Sequence, residues 1–79
     1  MLFHDGDKVK RIEEVIDSFK VGFATNGGDI NFVKYERGVV YVHFFGSYVG
    51  YPSDPKSIVD MIELQLRMAV PGVERVERV

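Results

Sequence analysis

The stretch INFVKYERGVVYVHFF, residues 30–45, decides the fold of this chain. Two runs rich in β-branched and aromatic residues, 30–35 and 39–45, flank the short connection Glu36-Arg37-Gly38. Such runs are typical of strands, and a connection of a few residues containing glycine is typical of a hairpin. The sequence therefore predicts two antiparallel strands joined through residues 36–38.

The length of that connection determines which side chains share a face of the sheet. A two-residue connection would place Ile30 and Phe32 beside the odd-numbered residues of the second strand, which include a tyrosine and a histidine. A three-residue connection places them beside the even-numbered residues, which are all apolar, and Gly38 suits the left-handed conformation it requires. We therefore predict the three-residue connection and a core face made of Ile30, Phe32, Val40, Val42 and Phe44.

The same register defines an outer face of the sheet. It is predicted to carry Val33, Tyr35, Tyr41, His43 and Phe45. Aromatic side chains are unusually frequent there for a surface in contact with water, and exposed apolar patches often mark interfaces. Tyr35, Tyr41 and Phe45 are therefore predicted to form an interaction surface.

Two amphipathic segments lie on either side of the hairpin. In residues 8–23, apolar side chains recur at helical spacing and charged side chains take the opposite side, with Asp7 as the predicted N-cap. The second helix is predicted from Asp54 or Pro55 to Val70, because proline suits a first helical turn and Pro71-Gly72 ends the pattern.

The second helix has two apolar stripes. The main stripe, predicted to face the core, consists of Ile58, Ile62, Leu66 and Ala69. A second stripe of Met61, Leu64 and Met68 widens the apolar arc beyond what a surface helix needs. Packing against the first helix and contact with an oligomer or partner are two explanations of equal weight.

The remaining segment completes the predicted architecture. A short charged strand is expected at residues 75–79, because Pro71-Gly72 restarts the chain. The element order α-β-β-α-β predicts an α+β fold with two helices packed on one face of a small three-stranded sheet. Residues 1–79 are expected to form a single domain.

Composition excludes several classes of function. The chain has no cysteine, so neither a disulfide framework nor a thiolate metal site is available. Its net charge of −2 argues against a nucleic-acid partner, and no apolar run is long enough to cross a membrane. Residues 1–7 lack the apolar core of a signal peptide, so a cytoplasmic location is expected. No catalytic constellation is visible, and we expect no enzyme activity.

Several stretches, taken in order, resemble the NifU-like C-terminal domain of iron–sulfur cluster assembly proteins. Asn26-Gly27-Gly28-Asp29 is similar to that family's Asp-Gly-Gly-Asp turn, and Gly38-Val39-Val40-Tyr41-Val42 is similar to its second strand. Gly46, Gly50, Pro52 and Ser53 match the frame of its C-x-x-C loop, and Ala69-Val70-Pro71 with Val73 matches its helix exit.

The resemblance fails at the working residues of that loop. In the family, the loop cysteines of paired subunits hold a cluster that is passed to target proteins, but here Tyr48 and Tyr51 stand at those positions. Clusters are held mainly by thiolates, and a phenol remains protonated at neutral pH. Only the position of the loop, with Gly46, Tyr48, Gly50, Tyr51 and Pro52, is therefore taken from the family.

The resemblance implies a protein-binding module of iron–sulfur cluster assembly that does not itself ligate a cluster. Its expected partner is an iron–sulfur carrier or recipient protein, a homo-oligomer is possible, and no cofactor or metal is expected. Three alternatives remain open at this point. They are a KH-like RNA-binding module, a small domain that only self-associates, and a ferric site built from Tyr48, Tyr51 and nearby His43 or Asp54.

The absence of cysteine generates a direct prediction. The purified chain, incubated without oxygen with iron and sulfide, is expected to stay colourless, because no thiolate is available to hold a cluster. Absorbance together with iron and sulfide analysis checks this. A stoichiometric cluster band with matching iron and sulfide content would contradict it.

Overall fold

The computed structural model describes residues 5–25, 28–46 and 55–79. The element order is α1 (Asp5–Thr25), β1 (Gly28–Glu36), β2 (Val39–Gly46), α2 (Pro55–Ala69) and β3 (Arg75–Arg78). The sheet has the strand order β1-β2-β3, with β1 antiparallel to β2 and β3 parallel to β2. The predicted α+β class and the α-β-β-α-β order are thus confirmed.

Both helices lie where the sequence predicts them, with different ends. Helix α1 begins three residues before the predicted start and ends two residues after the predicted end, so Asp7 lies in its first turn and the N-cap assignment is wrong. An acidic residue there still interacts favourably with the positive end of the helix dipole. Helix α2 begins at Pro55 and ends at Ala69. Within the described ranges, neither helix is long and apolar enough to cross a membrane.

The hairpin turn is shorter than the sequence predicts. Glu36 pairs with Val39, so only Arg37 and Gly38 connect the strands, with φ angles of 51° and 80°. Two consecutive residues at positive φ are typical of a type I′ turn, whose twist matches that of the flanking strands. The predicted three-residue connection is therefore wrong, because this tighter turn suits the twist of the strands.

A β-bulge at Val33 restores the predicted core face. On either side of it, Phe32 pairs with Val42 and Lys34 pairs with Tyr41, so the register shifts by one residue. A two-residue turn followed by one extra residue gives the same pairing beyond the bulge as a three-residue turn would give. Phe32 consequently lies opposite Val42 and packs on the core, as predicted.

Tyr35 lies between the bulge and the turn, where this compensation does not operate. It pairs with Val40, which is fully buried, and Tyr35 itself packs against the core. Residues directly opposite each other in a sheet share a face. The predicted position of Tyr35 on the outer face is therefore wrong, because the turn is one residue shorter than predicted.

The core lies between the two helices and one face of the sheet. Helix α1 contributes Ile12, Ile16 and Phe23, and the main stripe of α2 contributes Ile58, Ile62 and Leu66, all of which are buried. The rings of Phe23 and Phe44 stack with centroids 5.4 Å apart. Each such side chain contributes on the order of 2 kcal/mol by leaving water. The predicted core stripe of α2 is confirmed.

Strand β3 is joined to the hairpin turn as well as to β2. The carbonyl of Gly38 accepts hydrogen bonds from the backbone N–H groups of Glu74, at 2.7 Å, and Arg75, at 3.3 Å. The inward side chain of β3, Val76, is buried opposite Val40. The predicted short strand is confirmed, and its position depends on the geometry of the turn.

Because of the bulge, we predict that the fold tolerates deletion of Val33. Removing Val33 would leave a regular hairpin with the same residues facing the core, because the extra residue is absent from the pairing of β1 with β2. We expect this deletion to cost about 1 kcal/mol or less, as for a surface change. Removing Asn31 instead would turn one core side chain outward, Ile30 if the bulge is kept or Phe32 if it is lost, and we expect a cost of about 3 kcal/mol.

Urea denaturation of the two deletion variants measures this difference. Circular dichroism on each variant shows whether the helices remain. Equal destabilisation by the two deletions, or greater loss from removing Val33, would contradict the bulge.

Candidate functional site

The loop predicted as the family's cluster position is fixed at its ends. Gly46 closes β2, where it pairs with Gly28, and α2 begins at Pro55. Tyr48, Gly50, Tyr51 and Pro52 lie outside the described residues. Strand β2, which leads into this loop, carries the described residues nearest to it.

Strand β2 supplies the centre of the outer sheet face. Val40, Val42 and Phe44 point to the core, so the alternating residues Tyr41, His43 and Phe45 lie on the side away from the helices. Phe45 is 46% exposed, which is high for a phenylalanine. Tyr41 and Phe45 thus lie on the outer face, as the sequence predicts.

A charged half covers the end of this face nearest the hairpin turn. It consists of Lys34, Glu36, Arg75 and Glu77, joined as two ion pairs at 3.4 Å and 3.0 Å. The ammonium of Lys34 also lies 4.9 Å from the centre of the Tyr41 ring. Such exposed pairs contribute at most about 1 kcal/mol each, but they keep this half polar. The sequence prediction missed this half, because the two-residue turn, and not the predicted three-residue connection, sets Lys34 opposite Tyr41.

An aromatic corner occupies the other end of the outer face, where β2 leads into the loop. It consists of His43, Phe45 and Val79. The rings of His43 and Phe45 meet edge to face at 4.4 Å, and Nδ1–H of His43 donates a hydrogen bond to the backbone oxygen of Val79. Phe45 and Val79 remain about half exposed. This corner is the part of the outer face that offers apolar surface to a partner.

One polar cluster lies at the free edge of β1, close to the aromatic corner. Lys20 of α1 donates hydrogen bonds to the Ile30 carbonyl, to Asp29 at 3.3 Å and to Asn31 at 3.1 Å. The backbone N–H of Ile30, which donates to the Asp29 carboxylate, and the Lys20 ammonium hold the pKa of Asp29 below its ordinary value. Asp29 therefore stays ionised near neutral pH and joins α1 to β1 rather than acting as an acid catalyst.

The donor atoms of this chain do not fit an iron–sulfur cluster. The 79 residues contain no cysteine. Within residues 5–25, 28–46 and 55–79, no three histidine, aspartate or glutamate side chains are grouped so that they could hold a metal ion. The ferric alternative involves Tyr48, Tyr51 and Asp54, which lie outside the described residues.

The second stripe of α2 is a separate exposed surface. Met61, Leu64 and Met68 are 47%, 56% and 75% exposed. Packing against α1 therefore does not cover these side chains. They lie on the helical layer, on the opposite side of the molecule from the outer sheet face.

Comparison with known proteins identifies a family and several relatives. A family model described as the NifU-like domain matches residues 12–77. Similar proteins include the "NFU1 iron-sulfur cluster scaffold homolog, mitochondrial" of Drosophila grimshawi, which is 34% identical over 80 residues. The proteins of the same name from Drosophila persimilis and Drosophila ananassae are 34% and 32% identical over the same length.

The alignments cover a much larger share of this chain than of its relatives. Each alignment covers 100% of this chain but only 27% or 28% of the relative. The chain thus spans about a quarter of the length of the curated relatives it matches. Their names also place them in mitochondria, so the cytoplasmic location expected from composition is wrong. The match over residues 12–77, together with the α-β-β-α-β fold, shows that this chain belongs to the NifU-like domain family.

Proposed function

We propose that this chain acts in iron–sulfur cluster assembly as a protein-binding module that does not itself ligate a cluster. The observation that carries the proposal is the combination of a NifU-like domain with the absence of any cysteine. Relatives named as iron–sulfur cluster scaffolds support the process, and the donor chemistry supports the loss of ligation. The proposed role is that of a single non-enzymatic domain.

The aromatic corner is the proposed docking surface. It combines the exposed ring of Phe45 with the apolar side chain of Val79, and the ring of His43 packs against Phe45. Aromatic side chains at the centre of a patch with a charged rim are typical of protein interfaces. The charged half supplies such a rim on one side, and Asp29 lies opposite Phe45 on the other.

The position of the corner favours a partner that handles clusters. Phe45 directly precedes Gly46, where the loop corresponding to the family's cluster site begins. A carrier or recipient protein that docks on the corner would therefore lie next to the point where that loop begins. The partner we propose is an iron–sulfur carrier or recipient protein that keeps its own cluster ligands.

The KH-like alternative gains no support from these observations. Single-stranded RNA is bound through basic grooves and stacking on exposed aromatic side chains. The two cations of the charged half, Lys34 and Arg75, are each paired with a glutamate, and the net charge of the chain is −2. We therefore propose a protein rather than a nucleic acid as the partner.

Affinity capture tests the proposed docking surface. The immobilised chain is expected to retain cluster-assembly proteins from a native extract, and Phe45→Ser is expected to reduce their recovery at least tenfold, because central aromatic contacts dominate interfaces. Tyr41→Ser is expected to have a smaller effect, since Lys34 already lies over its ring.

The control is Val21→Ser, which removes an apolar side chain of α1 that is 74% exposed, against 46% for Phe45, and lies away from the outer sheet face. This variant is expected to retain the same proteins as the unmodified chain. Circular dichroism establishes that all variants are folded. Undiminished recovery with folded Phe45→Ser would contradict the docking surface, and recovery of no cluster-assembly protein by the unmodified chain would contradict the function.

Restoring the missing ligands tests the loop. If the loop keeps the family's backbone, Tyr48→Cys with Tyr51→Cys is expected to take up iron and sulfide after anaerobic reconstitution. A thiol at position 51 would lie close to the start of α2, where the helix dipole favours the thiolate. Two copies of the chain are expected per cluster, because each supplies two of four thiolates. A double variant that is folded but takes up no iron would show that only the fold of the family has been retained.

A further inference from the structure

The second stripe of α2 lies on the side of the helix that faces away from the core. Met61, Leu64 and Met68 follow one another at intervals of three and four residues, so they form one continuous row. Ile58, Ile62 and Leu66 of the same helix are buried beneath. An exposed row of this kind costs free energy in water unless another molecule covers it.

Two opposite charges border the row on one side. Asp60 and Arg67 are both exposed and are seven residues apart, which places them on the same side of the helix, about 10.5 Å apart along its axis. The midpoint between them falls beside Leu64. Among the residues that the structure describes, neither side chain takes part in an ion pair.

We propose that α2 pairs antiparallel with α2 of a second copy of this chain, about a two-fold axis that passes close to Leu64. Such an axis reverses the helix direction and keeps the same side of each helix in contact with itself. Arg67 of each copy then lies beside Asp60 of the partner subunit. Leu64 contacts Leu64 of the partner subunit, and Met61 and Met68 on either side of it cover the rest of the row.

The charges select this arrangement over the parallel one. In a parallel two-fold pair, the flank that carries Asp60 and Arg67 lies on opposite edges of the seam in the two copies, so neither charge meets an opposite charge of this pair. The antiparallel pair brings the two charged flanks together, and each Asp60 then lies beside Arg67 of the other copy. Pairing of charges that border an apolar seam is the ordinary means by which helices choose orientation.

The size of the row predicts a weak, reversible dimer. Three partly exposed side chains supply a few hundred Å² per copy, whereas a stable interface needs about 800 Å² per partner. The pairing leaves both outer sheet faces uncovered, because α2 lies on the other side of the sheet. A dimer would therefore present two aromatic corners and could hold two partner molecules at once.

Sedimentation velocity over a range of chain concentrations tests the pairing. The unmodified chain is expected to shift from monomer towards dimer as its concentration rises into the range of about 100 μM, where weak interfaces become populated. Asp60→Arg and Arg67→Asp, each alone, are expected to weaken the dimer at least tenfold. An equimolar mixture of these two variants is expected to regain it, because each Arg in one variant then meets an Asp in the other.

Asp17→Arg, the same change of charge at an exposed site on α1, is the matched control and is expected to dimerise at least as well as the unmodified chain. Monomer at all concentrations, or dimerisation of both single variants as strong as that of the unmodified chain, would overturn the proposal. Failure of the mixture to regain the dimer would also overturn it. Recovery of cluster-assembly proteins through Phe45 is measured separately, so it does not depend on this result.

Discussion

The pairing register of the β1–β2 hairpin is the constraint on which the rest of the structure depends. A type I′ turn at Arg37 and Gly38 starts the hairpin, and the extra residue Val33 then moves the pairing by one position. Without that shift, Phe32 would leave the core and a residue from the outer face would replace it. The same turn presents the Gly38 carbonyl to the chain entering β3, so the third strand depends on it as well.

This register also gives the two faces of the sheet different roles, one in stability and the other in the proposed recognition. The helix-facing side is occupied by branched and aromatic apolar residues, and among the described residues no polar or charged side chain is buried. The outer side is not constrained by that core, and it is charged near the turn and apolar near the loop. In a NifU-like domain that lacks cysteine, the outer surface next to the loop is where a retained function could reside. The proposed α2 dimer would use the opposite side and leave this surface accessible.

The elements themselves could be predicted from the sequence, because helical spacing, strand alternation and the Pro71-Gly72 break are local signals. The outer face of the sheet was harder to predict, because the predicted turn was one residue too long and the bulge was not anticipated. These two errors cancel beyond Val33 but not at Tyr35, which therefore belongs to the core side. The position of Lys34 beside Tyr41 depends on the two-residue turn and was therefore missed as well. Composition carries no information on the mitochondrial location named for the relatives.

The central claim is that a cluster carrier or recipient docks on the aromatic corner while the chain binds no cluster of its own. NMR chemical-shift mapping tests it most directly, with the isotope-labelled chain titrated with a cluster-assembly protein recovered from the native extract. The largest shifts are expected at His43, Phe45 and Val79, and the signals of Met61 and Leu64 on α2 are expected to stay unchanged. Shifts centred on α2, or none at the corner when binding is saturated, would contradict it.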